Sequence, residues 1–256
     1  MDGSSELPAG VSTSLAQWFT TPLGCYLLER EQAYFDQTVA DIFGFHALQV
    51  GLPECSFLAQ SRIVSRWTLD YGQPATLIGD PHSLPFPENS LDLIVMPHAL
   101  EFTDNPHSML REAYRVIRPE GQIVIAGFNP FSLFGAKRYF GRAQSSPWDG
   151  NFIALYRLKD WLALLGFDVV GGRLDAYVPP FSTNKWLHRF AFFEKAGDRW
   201  WPIAGGVYFL RAMKRVAGMR VITPAWNHRA QSEKALSPAT RAREGLTTRE
   251  LHESGS

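Results

Sequence analysis

Four short apolar runs of the sequence are each followed by a residue that could contact a polar ligand. Gly51, Asp80, His98 and Asn129 stand at or just beyond the ends of these runs. In a doubly wound sheet, ligands bind beyond the carboxyl ends of the strands, so these residues would surround one crevice. A carboxylate there could accept a hydrogen bond from an amino group or from a ribose hydroxyl, and a glycine lets the backbone approach a ligand closely. Glycine, aspartate and asparagine also end strands simply as turn formers, and both interpretations stay open.

The apolar runs predict the elements that position these residues. They cover Ala47–Gly51, Ala75–Gly79, Leu91–Met96 and Gln122–Ala126. Each run has the length of a strand and is mostly apolar rather than alternating, which is typical of strands buried on both faces of a parallel sheet. We therefore predict a Rossmann-like, doubly wound α/β fold with a mostly parallel sheet.

Helical periodicity between the strands predicts βαβ units. Apolar residues recur on one side of Pro106–Ile117, and either Asp104 or Asn105 can cap this helix. A strand, a helix and a strand in that order form a right-handed unit by default. A second unit is predicted from a helix over Lys159–Leu165 followed by a strand over Phe167–Val170.

Both ends of the chain add further elements. Residues 15–45 predict two helices divided at Pro22, and Val207–Met213 and Met219–Ile222 are predicted as strands. The expected organisation is a helical extension over 1–44, a domain over 45–226 with an aromatic and basic cap at 131–204, and a disordered tail over 227–256.

Two long phrases of the sequence resemble a known family. They are G-D-P-H-S-L-P-F-P-E-N-S-L-D at residues 79–92 and L-R-E-A-Y-R-V-I-R-P-E-G at residues 110–121. Both resemble the class I S-adenosylmethionine-dependent methyltransferases, closest to the group with ubiquinone, menaquinone and biotin-pathway members, and the match covers about residues 45–222. The resemblance implies a seven-stranded sheet with an antiparallel last strand and S-adenosylmethionine as cofactor.

The resemblance also assigns residues to the cofactor. Asp80 matches the carboxylate that accepts the adenine amino group, and Pro81 beside it matches the adenine wall. Pro97 and His98 match the segment against the methionyl end. Asp70, which follows the predicted second strand, is the candidate that binds the ribose diol, with a simple loop aspartate as the alternative.

The loop after the first strand departs from the family pattern. Members carry D-x-G-x-G-x-G there, whereas this chain has Gln49, Gly51 and Pro53 at the first three of these positions. Gln49 can still form hydrogen bonds but offers no charge to the ammonium group of the cofactor, and Leu52 and Pro53 add bulk. Gln49 and Gly51 are still expected to contact the cofactor. Two hypotheses follow: a methyltransferase with a modified pocket, or a non-catalytic binding or scaffold protein that has lost the cofactor.

Methyl transfer needs alignment and in some cases a base, but neither a metal nor a covalent nucleophile. No metal site is expected. His98 is the candidate base because it stands at a strand end near the expected methyl position; a packing or hydrogen-bonding histidine is the alternative.

The charge is unevenly distributed. The chain has 25 basic and 25 acidic residues, but residues 1–129 hold 6 and 15 of them and residues 130–226 hold 14 and 6. The basic part is also rich in tryptophan, which fits an apolar and anionic acceptor, either a small molecule or lipid-like, or peripheral contact with an anionic membrane. A cap with a solvated basic face is the alternative. No RNA-binding motif accompanies the charges, so we expect no DNA or RNA partner.

Cysteine use and the first residues indicate the compartment. Cys25 and Cys55 belong to no recognisable motif, as expected of reduced thiols, and the start MDGSSELPAG lacks the features of a signal peptide. No run approaches the roughly 20 apolar residues that span a bilayer. We therefore expect a cytoplasmic protein; the oligomeric state is not predicted.

Overall fold

A computed structural model describes residues 11–140, 147–179 and 205–215, with the side chains of 11–13 left out. Contacts divide the chain into Met1–Ala217 and Gly218–Ser256, and all the described residues lie in the first unit. The predicted strand Met219–Ile222, the tail over 227–256, and residues 141–146 and 180–204 of the cap predicted over 131–204 lie outside the described residues.

Seven strands form one sheet in the order β3-β2-β1-β4-β5-β7-β6. Strands β1 to β5 pair in parallel, and β7 runs antiparallel to both β5 and β6. This arrangement confirms the predicted doubly wound α/β fold with an antiparallel last strand. The strands are β1 His46–Val50, β2 Ser65–Asp70, β3 Leu77–Ile78, β4 Leu91–Pro97, β5 Ile117–Phe128, β6 Phe167–Asp175 and β7 Val207–Lys214.

Helices flank the sheet, and of the five in the described residues all but the helix Leu133–Phe140 lie where the periodicity predicts a helix. The main helix after β4 begins after Asn105, whose side chain accepts a hydrogen bond from the Ser108 amide at 3.0 Å, and the N-terminal helices divide at Pro22. The helices are α1 Val11–Trp18, α2 Pro22–Ala40, α3 Pro106–Val116, α4 Leu133–Phe140 and α5 Leu155–Leu165, with a short 3₁₀ turn at Ala99–Phe102. In the described part of the chain, no helix is long and apolar enough to cross a membrane.

The two faces of the sheet carry separate apolar clusters. One contains Leu27, Phe35 and Val39 of α2 together with strand residues such as Leu93. The other contains residues of α3 and α5, packed on strand residues such as Ile94. Neighbouring strand residues point to opposite faces, so β4 contributes to both clusters. Helix α2 therefore packs directly on the sheet, whereas the domain boundary at residue 44 stays a prediction.

Several element ends differ from the sequence prediction. Strand β3 pairs only over Leu77–Ile78, because its neighbour β2 ends at Asp70. Helix α5 begins at Leu155 rather than Lys159, since Leu155 and Leu158 pack in the cluster with α3. Strand β6 extends to Asp175 because β7 pairs with it along its length.

Lys214 fastens the last strand to the C-terminal end of α3. Its Nζ is 2.7 Å from the carbonyl oxygens of Tyr114 and Ile117 and 2.9 Å from Asn89 Oδ1. The ammonium also lies 4.2 Å from the centre of the Tyr114 ring. A buried cation at this position satisfies carbonyl groups that helix geometry leaves without amide partners. Burial lowers the pKa of Lys214.

Replacing Lys214 with methionine should lower the free energy of unfolding by about 2 kcal/mol, because the carbonyl groups of Tyr114 and Ile117 lose a buried donor. Urea denaturation measures the change. Lys159→Met on the exposed side of α5 is the matched control and should stay within about 0.5 kcal/mol of the native chain. Equal stability of the two variants would contradict the role of Lys214.

Candidate functional site

A cleft of about 530 Å³ lies at the carboxyl ends of β1, β2 and β4, where the sheet order reverses. Its size is within the range of pockets that bind small molecules and cofactors. The polar residues that line it are Asp70, Tyr71, His82, His98, Thr103, Asp104, Asn105 and Ser108. Leu15 of α1 also lines it, so the N-terminal helices help to enclose the site.

The cleft brings together five of the seven residues assigned to the cofactor from the sequence. Gly51, Asp70, Pro81, Pro97 and His98 all line it. Gln49 and Asp80 are not among the lining residues. Tyr71 and the turn Thr103–Asn105 were not assigned to the site from the sequence. Tyr71 directly follows β2, and Thr103–Asn105 lies between the 3₁₀ turn after β4 and α3. Their positions just beyond the carboxyl ends of β2 and β4 are the signal that could have found them.

The side chain of Gln49 forms hydrogen bonds with the backbone of the loop after β1. Its Nε2 lies 3.1, 2.9 and 2.7 Å from the carbonyl oxygens of Gly51, Leu52 and Cys55. Its Oε1 accepts a hydrogen bond from the Phe57 amide at 3.0 Å. The side chain is buried, so the amide group replaces water as the partner of this tight loop.

This geometry explains why the family acid is absent. An amide can donate to carbonyl oxygens, whereas an ionised carboxylate can only accept hydrogen bonds. Gly51 and Leu52 both have positive φ angles, 83° and 48°, and Leu52 is buried in the core beside the cleft. The Leu52 side chain, which was expected to add bulk to the loop, therefore packs largely in the apolar cluster under it.

His98 lies between two buried carboxylates. Its Nε2 is 2.7 Å from Glu31 Oε1 on α2, and its Nδ1 is 2.8 Å from Glu101 Oε2 in the 3₁₀ turn. All three side chains are essentially inaccessible to solvent. Glu101 also accepts a hydrogen bond from the Phe128 amide at the end of β5. We call this cluster the Glu31–His98–Glu101 triad.

The triad bears on the role predicted for His98. Burial alone lowers the pKa of His98, but the charges of Glu31 and Glu101 raise it to about 10. Both ring nitrogens of His98 lie within hydrogen-bond distance of a carboxylate. A base must accept a proton and reach the substrate, so this geometry does not favour a base, and the catalytic role of His98 stays a prediction from the sequence. His98 lines the cleft as part of its floor.

Asp80 acts on the cleft through its neighbours. Its Oδ1 lies 2.8 Å from His82 Nδ1, 2.8 Å from the His82 amide nitrogen and 3.2 Å from the Tyr71 hydroxyl. His82 Nε2 is in turn 2.8 Å from Thr103 Oγ1. Burial raises the pKa of Asp80, but the hydrogen bonds from His82 outweigh it and the net shift is downward. The carboxylate therefore fixes the orientation of Tyr71 and His82, which both face the cleft.

Asp92 lies at the opposite end of the sheet and has a structural role. Its Oδ2 accepts hydrogen bonds from the amides of Phe45 and His46, at 2.7 and 2.9 Å. Its other oxygen is 2.9 Å from a guanidinium nitrogen of Arg118. These contacts fix the entry into β1 and leave the cleft untouched.

Comparison with known proteins agrees with this fold. A family model described as a methyltransferase domain matches residues 32–125. YafS of Escherichia coli K12 is 31% identical over 156 residues, which cover 60% of this chain and 65% of that protein. A malonyl-[acyl-carrier protein] O-methyltransferase of Laribacter hongkongensis is 29% identical over 94 residues, which cover 37% of this chain and 32% of that protein. The chain thus matches less than two thirds of the length of these relatives.

A solved structure shares the fold. An S-adenosylmethionine-dependent methyltransferase from Thermotoga maritima superimposes with a TM-score of 0.55 at 17% identity, covering 74% of this chain and 93% of that one. Residues 32–125 match the methyltransferase-domain family model, and the fold is that of the class I S-adenosylmethionine-dependent methyltransferases. The resemblance inferred from the motifs is confirmed. S-Adenosylmethionine is the cofactor of this family.

Restoring the family acid at position 49 should damage the protein. In Gln49→Glu, a buried carboxylate would face three carbonyl oxygens, and we expect a loss of about 2–4 kcal/mol in the free energy of unfolding. Thermal and urea denaturation measure the loss. Gln17→Glu on the exposed end of α1 is the control for the same chemical change, and its stability should change little. A Gln49→Glu variant as stable as this control would contradict the proposed hydrogen bonding.

The triad should make stability depend on pH. The pKa of His98 is about 10 in the folded chain, above its usual value of 6.5. Between these values the folded chain keeps a proton that the unfolded chain has released. The free energy of unfolding should therefore be highest below pH 6.5 and fall as pH rises through 10, by at most about 1.4 kcal/mol per pH unit.

Removing one carboxylate tests the origin of this dependence. Glu31→Gln should make the fall between about pH 7 and pH 8.5 shallower, because one of the two charges that raise the pKa of His98 is gone. Urea denaturation at several pH values gives the slope. Glu29→Gln changes an exposed glutamate on the same helix and should keep the native slope. An unchanged slope in Glu31→Gln would contradict the contribution of Glu31 to the raised pKa of His98.

Proposed function

We propose that the chain is a methyltransferase whose cleft binds S-adenosylmethionine. One observation carries the proposal: Gly51, Asp70, Pro81 and Pro97, which the motifs assign to the cofactor, line one cavity of suitable size. The charge of the cleft also fits. Among the described residues that line it, the carboxylates are Asp70 and Asp104, and none is lysine or arginine. An acidic cleft of this kind favours a ligand with a sulfonium and an ammonium group.

Each end of the cleft has residues suited to one part of the cofactor. S-Adenosylmethionine supplies an activated methyl group on its sulfonium sulfur when it is bound. Asp70, at the end of β2, would accept hydrogen bonds from the ribose hydroxyls. Gly51 lets the backbone pass close to the methionyl end. Pro81 would flank the adenine, while Asp80 fixes Tyr71 at this end rather than binding the ligand directly.

The residues of the chain contribute position rather than proton transfer. Methyl transfer from a sulfonium needs the acceptor atom in line with the methyl group, which is mainly a matter of alignment. The hydrogen bonds of His98 with Glu31 and Glu101 fix the floor of the cleft, and the alignment of the acceptor with the methyl group depends on that floor. We therefore assign His98 a positioning role in place of the role of base.

The acceptor that we propose is an apolar molecule with an anionic group, either a small metabolite or a lipid-like compound. Support comes from the excess of basic residues over 130–226 and from exposed rings such as Phe131 and Tyr156. The relative from Laribacter hongkongensis is named for a malonyl group on a carrier protein. A non-catalytic binding protein with this fold is the second candidate, favoured by the single glycine that remains in the loop after β1.

Isothermal titration with S-adenosylmethionine and S-adenosylhomocysteine tests the proposal. We expect both to bind, and Asp70→Asn to weaken both by about 10- to 100-fold, since charge-assisted hydrogen bonds to the ribose are lost. Asp168→Asn, an exposed residue on β6 that lies far from the cleft in sequence and does not line it, is the control and should bind like the native chain.

The outcomes separate the two candidates. Binding with transfer of a radiolabelled methyl group to a component of a small-molecule extract supports the enzyme. Binding without transfer to any extract supports the non-catalytic protein. Absence of heat with both ligands would overturn the cofactor assignment, as would equal affinities in Asp70→Asn and Asp168→Asn.

A further inference from the structure

A second cavity, of about 280 Å³, lies beside the cofactor cleft. It is enclosed by the turn before α3, the end of α4 and the beginning of α5. Thr103 and Asp104 line both cavities, so the two are separated only by the turn that carries these residues. Arg138 and Arg157 bring two guanidinium groups to this cavity, and Asn151 adds an amide. We call it the arginine cavity.

Neither arginine forms an ion pair with a carboxylate of the described residues. The Arg138 guanidinium lies 5.3 Å from the centre of the Phe152 ring, and the Arg157 guanidinium lies 5.4 Å from the centre of the Trp161 ring. Nε of Arg138 is buried and has no hydrogen-bond partner among the described residues. Within that part of the chain, its guanidinium makes a long hydrogen bond of 3.4 Å to Asn151 Oδ1.

Two arginines elsewhere in the described chain do pair with carboxylates. A guanidinium nitrogen of Arg115 is 2.6 Å from Glu112, and one of Arg118 is 2.9 Å from Asp92. The arginine cavity includes one acid, Asp104, which forms no ion pair with either arginine. Two guanidinium groups that are held against aromatic rings, with no carboxylate partner among the described residues, are arranged for a carboxylate or a phosphate.

Two further features of the same helices point to the same ligand. Helix α5 begins at the cavity with Ala154, whose side chain cannot cap it, so its positive end adds to the local potential. Large rings are exposed next to the arginines in sequence: Tyr139 is 84% exposed and Tyr156 is 58% exposed. An anionic group with an apolar remainder matches both the cavity and these rings.

We propose that the arginine cavity binds the carboxylate or phosphate group of the methyl acceptor. The assignment rests on the proposed function, since it places the acceptor beside the cofactor cleft, across the turn Thr103–Asp104. Arg138 and Arg157 hold the anionic group, and Asn151 donates a further hydrogen bond. The arginines are therefore specificity residues, and they leave the cofactor cleft unchanged.

Isothermal titration of the full chain with malonate and with inorganic phosphate tests the cavity without any cofactor. The native chain should bind at least one of these anions, and the double variant Arg138→Gln, Arg157→Gln should bind it at least about tenfold more weakly. Arg62→Gln is the matched control, because Arg62 also lies over an aromatic ring, that of Phe43, outside both cavities. It should bind like the native chain.

Two results would overturn the proposal: no saturable heat from either anion, or equal affinity in the double variant and the native chain. Circular dichroism checks that the double variant is folded. If it is not, Arg157→Gln alone, with an exposed side chain, serves in its place and should show a smaller loss in the same direction. S-Adenosylhomocysteine is titrated separately. If S-adenosylhomocysteine does not bind, the proposed function is contradicted. If the affinity for the anion is the same with and without the two arginines, the proposed role of the arginine cavity is contradicted.

A second pair of probes identifies the source of the anionic group. Decanoate represents a dissolved acceptor, and vesicles of phosphatidylglycerol and phosphatidylcholine in equal parts represent a lipid head group. Binding of decanoate that is lost in the double variant assigns a dissolved acceptor. Co-sedimentation with vesicles that is lost in the double variant assigns a lipid. Binding of neither probe through the arginines contradicts an apolar, anionic acceptor.

Discussion

The buried contact of His98 with Glu31 and Glu101 is the interaction on which the site depends. It joins helix α2, the end of β4 and, through the Phe128 amide, the end of β5. Charges removed from water are tolerated only when they are paired and hydrogen-bonded. Loss of the imidazolium would leave two carboxylates buried together, so the three elements have to keep their relative positions. The floor of the cleft is thereby fixed before any ligand arrives.

The loop after β1 is likewise held by buried hydrogen bonds, but these come from a neutral side chain. Gln49 lies on β1, next to Val95 of β4 in the sheet, and its amide supports the carbonyl oxygens of the loop. A chain with the glycine-rich pattern leaves these positions to small residues and an acid. Here Leu52 packs into the core, and Gln49 supplies donors that an acid lacks. The unusual sequence is thus a consistent alternative way to build the loop, and not simply an eroded one.

Local signals made much of the fold predictable. Apolar runs identified the central strands, and Asn105 with the pattern after it identified α3, because capping and periodicity depend on neighbouring residues. The partners of the functional side chains were not predictable in this way. Glu31 and His98 are 67 positions apart, and His82 and Thr103 are 21 apart. Such pairs follow from tertiary packing, so the sequence suggested a free histidine base where the structure has an ion-paired cation.

If the Gln49-supported loop and the triad form an intact cofactor cleft, a crystal structure of the chain with S-adenosylhomocysteine will show the ligand in that cleft. We expect the ribose hydroxyls within about 3 Å of the Asp70 carboxylate, with the hydrogen bonds of Gln49 and His98 preserved. A ligand bound outside the cleft, or a cleft that opens only when Gln49 releases the loop, would contradict this expectation.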